Sequence, residues 1–412
     1  MTARLPRKVL HVMNAAIGGA ALSTLGLMRA LKKRGIASSA VCHDAGSAEE
    51  REAVRTATEG EALFTPLYWW NKKIRSPVWK RPLSETKQWL RTGGHRVSAA
   101  RVAMAYRAWG ADLLHSNTVT TLEGAVVSRW LDVPHVWHVR EMVGAGNPFV
   151  FPLEGDDFLR FLSRHADVVI ANSYASAISL RAASLERQLR VIPNGLELDA
   201  YLALPRRRDA KVVVAKVGNL TSVVKKHSLF MEAAALVKSS TPVEFRLYGL
   251  APEPGSHAHV DKLREQAAQC HVRVMGFADP VKIMGDIDIL AHAADGESFG
   301  RVIVEGMAAG LPVVGVNGGG VAELVQHEKT GLLGPIDDAS AMASHLQRLI
   351  DDAALRTRMG DAGRALAKEK YSIDGCAEAV ASAYAEAMGT HSRAASQMSL
   401  WAEWARGHWR GW

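Results

Sequence analysis

The stretch DGESFGRVIVEGMAAGLPVV, Asp295 to Val314, follows the strand-forming run Ile289-Leu-Ala and passes directly into a helical pattern. Apolar residues recur at helical spacing after the first few positions, which predicts a helix starting near Ser298. A helix start presents unpaired N–H groups and a positive dipole end, so Ser298, Phe299 and Gly300 are suited to hold a diphosphate. Glu297 falls in the loop before the helix and Glu305 about two turns into it, roughly 10 Å further along the axis. A carboxylate with two acceptor oxygens suits the vicinal hydroxyls of a sugar. Two glutamates eight residues apart occur by chance on many exposed helices, so the whole block carries the meaning.

On both sides of this stretch, short β-rich runs alternate with longer segments of helical period, the pattern of parallel strands joined by helices. One series of predicted strands runs Lys8 to Met13, Ala37 to Cys42, Asp112 to His115, His135 to His138, Asp167 to Ala171 and Arg190 to Ile192. Pro193-Asn194-Gly195 then marks a turn, and a second series follows at Lys211 to Val217, Glu244 to Tyr248, Arg273 to Gly276, Asp288 to Ala291 and Pro312 to Val316. Both series open with a β-run followed by glycine, at Gly18-Gly19 and at Gly218. The reading is an α/β chain of two facing Rossmann-like domains, with ligands expected beyond the carboxyl ends of the strands and in a cleft between the domains. The expected divisions are 1–195 for the first domain, 196–372 for the second, a helix over 373–390 returning to the first, and a Trp-rich tail over 391–412.

The order Glu297-x7-Glu305 with Phe299-Gly300, then Gly306-Met307-Ala308-x-Gly310-x-Pro312-Val313, then Gly318-Gly319 and Glu323-Leu324, closely resembles the donor site of glycosyltransferase family 4. Further resemblances are Gly18-Gly19-Ala20, His138 after the fourth strand, Ala171-Asn172-Ser173, Ile192-Pro193-Asn194-Gly195, and Lys225 ahead of the helix containing Phe230 and Glu232. The resemblance implies the two-domain GT-B fold and a retaining, metal-independent transfer from a UDP- or GDP-sugar to a glycan or lipid-linked acceptor. Such an enzyme would serve cell-surface polysaccharide or glycolipid synthesis. It further implies that Glu305 binds the donor ribose, that Glu297 binds hydroxyls of the transferred sugar, and that Lys225 neutralises the departing diphosphate. The last role fits the rule that charge developing on a leaving group is best met by fixed cations and N–H donors.

His138 is placed by the same resemblance beside the donor sugar, with Gly18 and Gly19 in the first donor loop. A hydrogen-bonded core histidine is the alternative for His138. His115, Asn117, Arg140 and Glu141 would line the acceptor side. One departure stands out: the family often has Arg after the glycine of the second domain's first loop, and this chain has Asn219, which donates a hydrogen bond but adds no charge. Leaving-group stabilisation then falls to Lys225, Lys226 and the helix start. No residue is assigned a covalent role.

Bulk properties narrow the classes. A chain of 412 residues exceeds what one core usually serves. Cys42, Cys270 and Cys376 lie far apart without a CxxC pair, so neither a disulfide framework nor a zinc knuckle is indicated. The basic N-terminus carries only a short apolar run without a cleavage signature, so a cytoplasmic location is expected. No window reaches the roughly 20 apolar residues that a membrane span needs. Asp286-Ile287-Asp288 spells a DxD, the metal signature of other glycosyltransferases, but it leads into an apolar strand; no metal and no cofactor are expected, the nucleotide-sugar being a substrate.

The formal charge of +8 sits in one half: residues 1–204 hold 26 Lys+Arg against 18 Asp+Glu, while residues 205–412 hold 24 of each. Between Lys72 and Arg107 ten basic residues accompany one acid, with Trp69, Trp70, Trp79 and Trp89 among them. The region from Trp69 to Arg107 reads either as a solvated helix face or as a contact for anionic lipid, which would make the protein peripheral at the inner face of the plasma membrane. No nucleic-acid reader motif accompanies the charge. A dehydrogenase is disfavoured, since no GxGxxG follows either first strand. A nucleotide-sugar epimerase or hydrolase, and a non-catalytic nucleotide-sugar-binding protein, stay open as alternatives.

Overall fold

The computed structural model describes residues 4–15, 18–44, 46–68, 81–143, 151, 153, 155–181, 184–207, 209–249 and 257–391, excluding the side chains of 81–93. The chain divides into two compact units, one formed by the residues up to Gly195 together with those from Ile373 onward, the other by Leu196–Ser372. Each unit is an α/β layer structure built on one parallel sheet, as predicted.

In the first unit the strands are β1 (Lys8–Met13), β2 (Ala37–His43), β3 (Ala62–Thr65), β4 (Leu113–Asn117), β5 (His135–Val139), β6 (Val168–Ala171) and β7 (Leu189–Val191). They lie in the order β3-β2-β1-β4-β5-β6-β7. Successive side chains of a strand point to opposite faces. Leu10, Val12, Leu114, Trp137 and Val169 therefore join one core with Val102 and Tyr106 of the helix Arg81–Trp109 and Phe158 and Phe161 of the helix Gly155–His165. Val9, Leu113, Val136, Val168 and Ile170 face the other way, against Leu27 and Leu31 of the helix Gly19–Lys33 and against Ala377, Val380 and Tyr384 of the helix Ile373–Thr390. Both faces being covered explains why these strands read as continuous apolar runs.

The second unit contains β8 (Val212–Val217), β9 (Val243–Tyr248), β10 (Val272–Gly276), β11 (Ile289–His292), β12 (Val313–Val316) and β13 (Gly331–Gly334), in the order β10-β9-β8-β11-β12-β13. Val212, Val214, Leu247, Ala291 and Val314 pack under the helices His227–Leu236 and Ala339–Asp351. Val213, Ala215, Leu290 and Val313 pack on the opposite face with Ile303, Val304 and Met307 of the helix Arg301–Ala308.

Two details differ from the sequence reading. The helix after β11 starts at Arg301, not near Ser298, because Gly300 adopts φ 101° and ψ 56°, a left-handed conformation that no α-helix contains and that Gly tolerates best. Strands β3 and β13 were not read. The latter is bracketed by Gly331 and Gly334 and is formed by pairing with β12, Val313 opposite Gly331.

Of the basic, Trp-bearing region, residues 69–80 and the side chains of 81–93 lie outside the described residues, as does the tail beyond His391. Within the described part, Arg101 is turned to Thr65, its Nη1 donating to Oγ1 at 2.7 Å. Among the described residues no helix is long and apolar enough to cross a membrane.

Candidate functional site

In the second unit the loops after β8 and β11 leave the sheet at its carboxyl edge, where open parallel sheets hold ligands. The loop after β8 ends in a single 3₁₀ turn, Val223–Lys225, followed by Lys226 in the left-handed region and then the helix His227–Leu236. This turn aims Lys225 across at the loop after β11: its Nζ donates to Glu297 Oε2 at 2.6 Å, although 72 positions separate the two residues. His292, the last residue of β11, places Nε2 3.3 Å from the same oxygen. Burial would raise the Glu297 carboxyl, but the His292 bond and the Lys225 charge outweigh it and hold Glu297 well below the usual carboxylate range. The His292 ring is driven down to about 4, chiefly by burial, so it stays neutral beside the carboxylate.

The backbone carrying Glu297 is fixed by tight packing rather than by helix. The Gly320 N–H donates to the Glu297 carbonyl at 2.7 Å. A Cβ on Gly320 would lie 2.7 Å from the Phe299 carbonyl oxygen, so any side chain there would push the two loops apart. The Phe299 ring is buried edge-to-face on Tyr371 and anchors the loop from inside the core. Ser298 is half-buried beside it.

Glu305 sits in a different environment. It is buried, and its Oε1 accepts from Arg301 Nε at 2.8 Å. Burial raises its carboxyl above the ordinary value, opposed by the Arg301 charge and by the Tyr201 hydroxyl. The two glutamates are thus driven apart, Glu297 held ionised and Glu305 pushed toward the neutral form. Lys226 pairs with Asp337 Oδ1 at 3.0 Å. Asn219 is exposed, and its Oδ1 accepts from the N–H and the hydroxyl of Thr221, both at 3.0 Å, so its amide oxygen shapes the loop.

The other sequence-predicted residues lie in the first unit. Gly18 and Gly19 are exposed at the start of the helix Gly19–Lys33, with Gly18 at φ 97°. His115 and His138 are fully buried and stacked, ring centroids 5.5 Å apart, and His11 lies 4.8 Å from His115 on the other side. His115 Nδ1 is hydrogen-bonded to the Tyr384 hydroxyl, Asn117 Oδ1 accepts from Thr24 at 2.8 Å, and Arg140 donates to Asn194. Glu141 takes the N–H groups of Val119 and Arg140 on Oε2, each at 3.0 Å. His138 Nε2 and His115 Nε2 are buried without a hydrogen-bond partner among the described residues. The four residues His115, Asn117, His138 and Arg140 therefore form one buried polar network.

This network makes stability depend on pH. Burial, aided by the Arg140 charge, lowers His11 to about 3 and holds His115 and His138 well below their ordinary value; burial also lowers His135 to about 4. The unfolded chain takes protons at these positions near pH 6.5 and the folded chain refuses them. Their contribution is therefore complete above about pH 6.5 and is lost as pH falls toward 4. Melting followed by circular dichroism is expected to show a midpoint lower by about 10 °C at pH 5 than at pH 7. A flat profile over that window would contradict buried neutral histidines.

Sequence reasoning did not single out Lys216, His292, Tyr201 or Arg301. Lys216 and His292 did leave a signal: each is a polar residue interrupting an apolar run at the carboxyl end of a strand, where ligand-facing groups emerge. In the DxD, the Asp288 carboxylate and the Asp286 backbone carbonyl have structural partners. Asp288 Oδ2 accepts from the Val213 N–H at 2.8 Å, and the Asp286 carbonyl accepts from Arg207 at 2.6 Å. Among the described residues no group of three or more His, Cys, Asp or Glu could hold a metal ion.

Two family models match the chain, one described as Glycosyltransferase Family 4 over residues 17–200 and one as Glycosyl transferases group 1 over residues 211–352. Among curated proteins, the chain is 22% identical to the N-acetyl-alpha-D-glucosaminyl L-malate synthase of Bacillus anthracis, an alignment covering 58% of this chain and 68% of that protein. It is 30% identical to the D-inositol 3-phosphate glycosyltransferase of Xylanimonas cellulosilytica, over 54% of this chain and 57% of that one. The chain thus spans little more than half to two thirds of these relatives. Among solved structures, HepE from Anabaena in complex with UDP and glucose superposes with a TM-score of 0.71 at 24% identity, over 91% of this chain and 98% of that one. TarM superposes with a TM-score of 0.69 at 12% identity, over 92% and 98%. At these identities the structural likeness is one of fold.

Proposed function

The chain belongs to glycosyltransferase family 4, and we propose that it moves a sugar from a nucleoside-diphosphate-sugar to a glycan or lipid-linked acceptor, with retention of configuration and without a metal ion. The observation that carries this reading is the Lys225–Glu297 pair, held at 2.6 Å by two loops at the carboxyl edge of one sheet. As the bond between sugar and diphosphate breaks, negative charge gathers on the departing phosphate, and a fixed ammonium at that point stabilises it where it develops. Glu297, held ionised, accepts hydrogen bonds from sugar hydroxyls and fixes the ring. Glu305, buried against Arg301 and Tyr201, takes the ribose hydroxyls. His138 Nε2, buried and unpartnered among the described residues, offers a neutral group to the donor sugar. Carriers with a uracil or guanine base, and a role in cell-surface polysaccharide or glycolipid synthesis, are part of the same reading.

A thermal-shift panel of nucleoside diphosphates and their sugars tests the donor class, since a ligand at 100 times its Kd adds about 2.7 kcal/mol to stability. Stabilisation by UDP or GDP and their sugars supports the reading, and no response to any of them opposes it. The Asp288 carboxylate is already engaged by the Val213 N–H and by Arg207, and the cations of the site are lysines, so EDTA is expected to leave turnover unchanged. Loss of activity in EDTA that manganese or magnesium restores would contradict metal independence.

Acceptor delivery at an anionic membrane surface, on its cytoplasmic side, completes the proposal and rests on the charge asymmetry of the sequence. Each Lys or Arg near such a surface contributes about 1 kcal/mol, so half of the ten between Lys72 and Arg107 would give reversible attachment. Cosedimentation with anionic vesicles at low salt, fading at high salt, is the expected result. No binding to anionic vesicles at low salt would point to a soluble acceptor.

A further inference from the structure

The lysines of the donor loops are not equivalent. In the free protein Lys225 pairs with Glu297 and Lys226 with Asp337, so each of these cations already has a carboxylate at hand. Lys216 is different: it stands in the middle of a parallel sheet, is fully buried, and its Nζ has no hydrogen-bond partner among the described residues. A buried, unpaired ammonium is costly unless something compensates it.

Its surroundings place it at the site. On β8 it pairs in register with Ala291, one residue before His292, and on the other side with Leu247 of β9. Two residues further on, Gly218 lies against the same loop cluster, where an added Cβ would be 3.6 Å from Lys225 Cγ and 3.5 Å from His227 Cε1. The charged and titratable groups facing Lys216 come from three elements besides its own: Lys225 on the 3₁₀ turn, Glu297 after and His292 within β11, and His227 at the start of the following helix. Burial first, and repulsion from Lys225 second, bring the Lys216 ammonium down to about 7, with Glu297 working in the opposite direction. His227 and His292 are themselves lowered to about 4, burial first, and neither competes for a proton above pH 6.

We propose that Lys216 is a further charge-balancing cation of the diphosphate subsite, without a hydrogen-bond partner among the described residues and taking up a proton when the nucleoside diphosphate binds. The inference rests on the nucleotide-sugar reading above and adds to it. No covalent step is involved. The proton comes from solvent, and the ammonium so formed adds a positive charge to that of Lys225, which is shared with Glu297. Binding is thereby coupled to proton uptake at alkaline pH, where the diphosphate itself is fully ionised.

Isothermal calorimetry of UDP and GDP on the full chain at pH 8, in HEPES and in Tris, measures protons taken up per ligand from the difference in buffer ionisation heat. A group of pKa about 7 is roughly nine-tenths deprotonated at pH 8, so uptake of about 0.9 proton per bound nucleotide is expected for the natural protein. Lys216→Met should abolish that uptake, weaken binding by about 10-fold, and raise the melting temperature of the free protein, since a methionine fills the same space without burying an amine that lacks a hydrogen-bond partner among the described residues. Binding by the natural protein without proton uptake, or equal uptake by Lys216→Met, overturns the inference and leaves the donor class intact. Failure of the natural protein to bind either nucleotide overturns both. Should Lys216→Met not fold, the uptake by the natural protein decides alone.

Discussion

Lys225→Ala is expected to lower turnover by about 100-fold or more, the usual effect of removing one fixed group that meets transition-state charge. Lys225 Nζ is 2.6 Å from Glu297 Oε2, and its side chain is 27% exposed, so its loss is accommodated by solvent without a core defect. Lys225→Arg should restore only part of the rate, since a planar guanidinium cannot reproduce the position of a compact ammonium. The same substitution acts on Glu297. Part of what offsets burial there is the Lys225 charge, so removing it raises the Glu297 carboxyl toward the ordinary range. A depressed carboxyl keeps its ionised form until pH falls through its folded value; raising that value moves the acid limb of the rate profile upward. Steady-state release of nucleoside diphosphate as a function of pH measures both effects. Nearly normal turnover with an unmoved acid limb would take the role from Lys225 and leave Lys226 as the candidate.

Glu305→Ala is expected to weaken nucleotide binding by about 1–3 kcal/mol, the cost of stranding hydrogen-bond partners, or roughly 5- to 150-fold in Kd. The fold should survive, because the charged partner left behind, Arg301, has a side chain 24% exposed and open to water, and the other, Tyr201, loses only a hydroxyl contact. Glu305→Gln controls for volume and keeps an acceptor for Arg301. Calorimetry with UDP and GDP reads the effect. Unchanged affinity in a folded variant would remove Glu305 from the ribose and leave it as a helix-internal partner of Arg301.

Much of this architecture is legible in the sequence because both sheets are buried on two faces. Runs such as Lys8 to Met13 and Lys211 to Val217 are mostly apolar, and their boundaries match the structure to within a residue. What fails to show is structure that depends on distant partners. The strand Gly331–Gly334 has no pattern of its own and exists because Val313–Val316 pairs with it. The start of the helix at Arg301 was misread because helical spacing ignores the left-handed turn at Gly300. In the site, Lys225 and Glu297 were both recognisable as chemical groups, but their direct pairing is a property of the folded loops. Lys216 left only the faint signal of a polar residue inside Val-Val-Val-Ala-Lys-Val, and its burial without a hydrogen-bond partner among the described residues is what singles it out. The histidines at the ends of β4 and β5 were visible, whereas their stacking on one another was not.

Transfer itself tests the central claim most directly. The full chain is incubated with UDP- and GDP-sugars labelled in the sugar, together with lipid and glycan acceptors, and the label is followed by chromatography while free nucleoside diphosphate is counted. Label is expected to move onto an acceptor with one nucleoside diphosphate released per sugar, and both should be nearly lost in Lys225→Ala. Label that stays on the nucleotide as a changed sugar, or appears only as free sugar whatever acceptor is supplied, would contradict transfer to an acceptor.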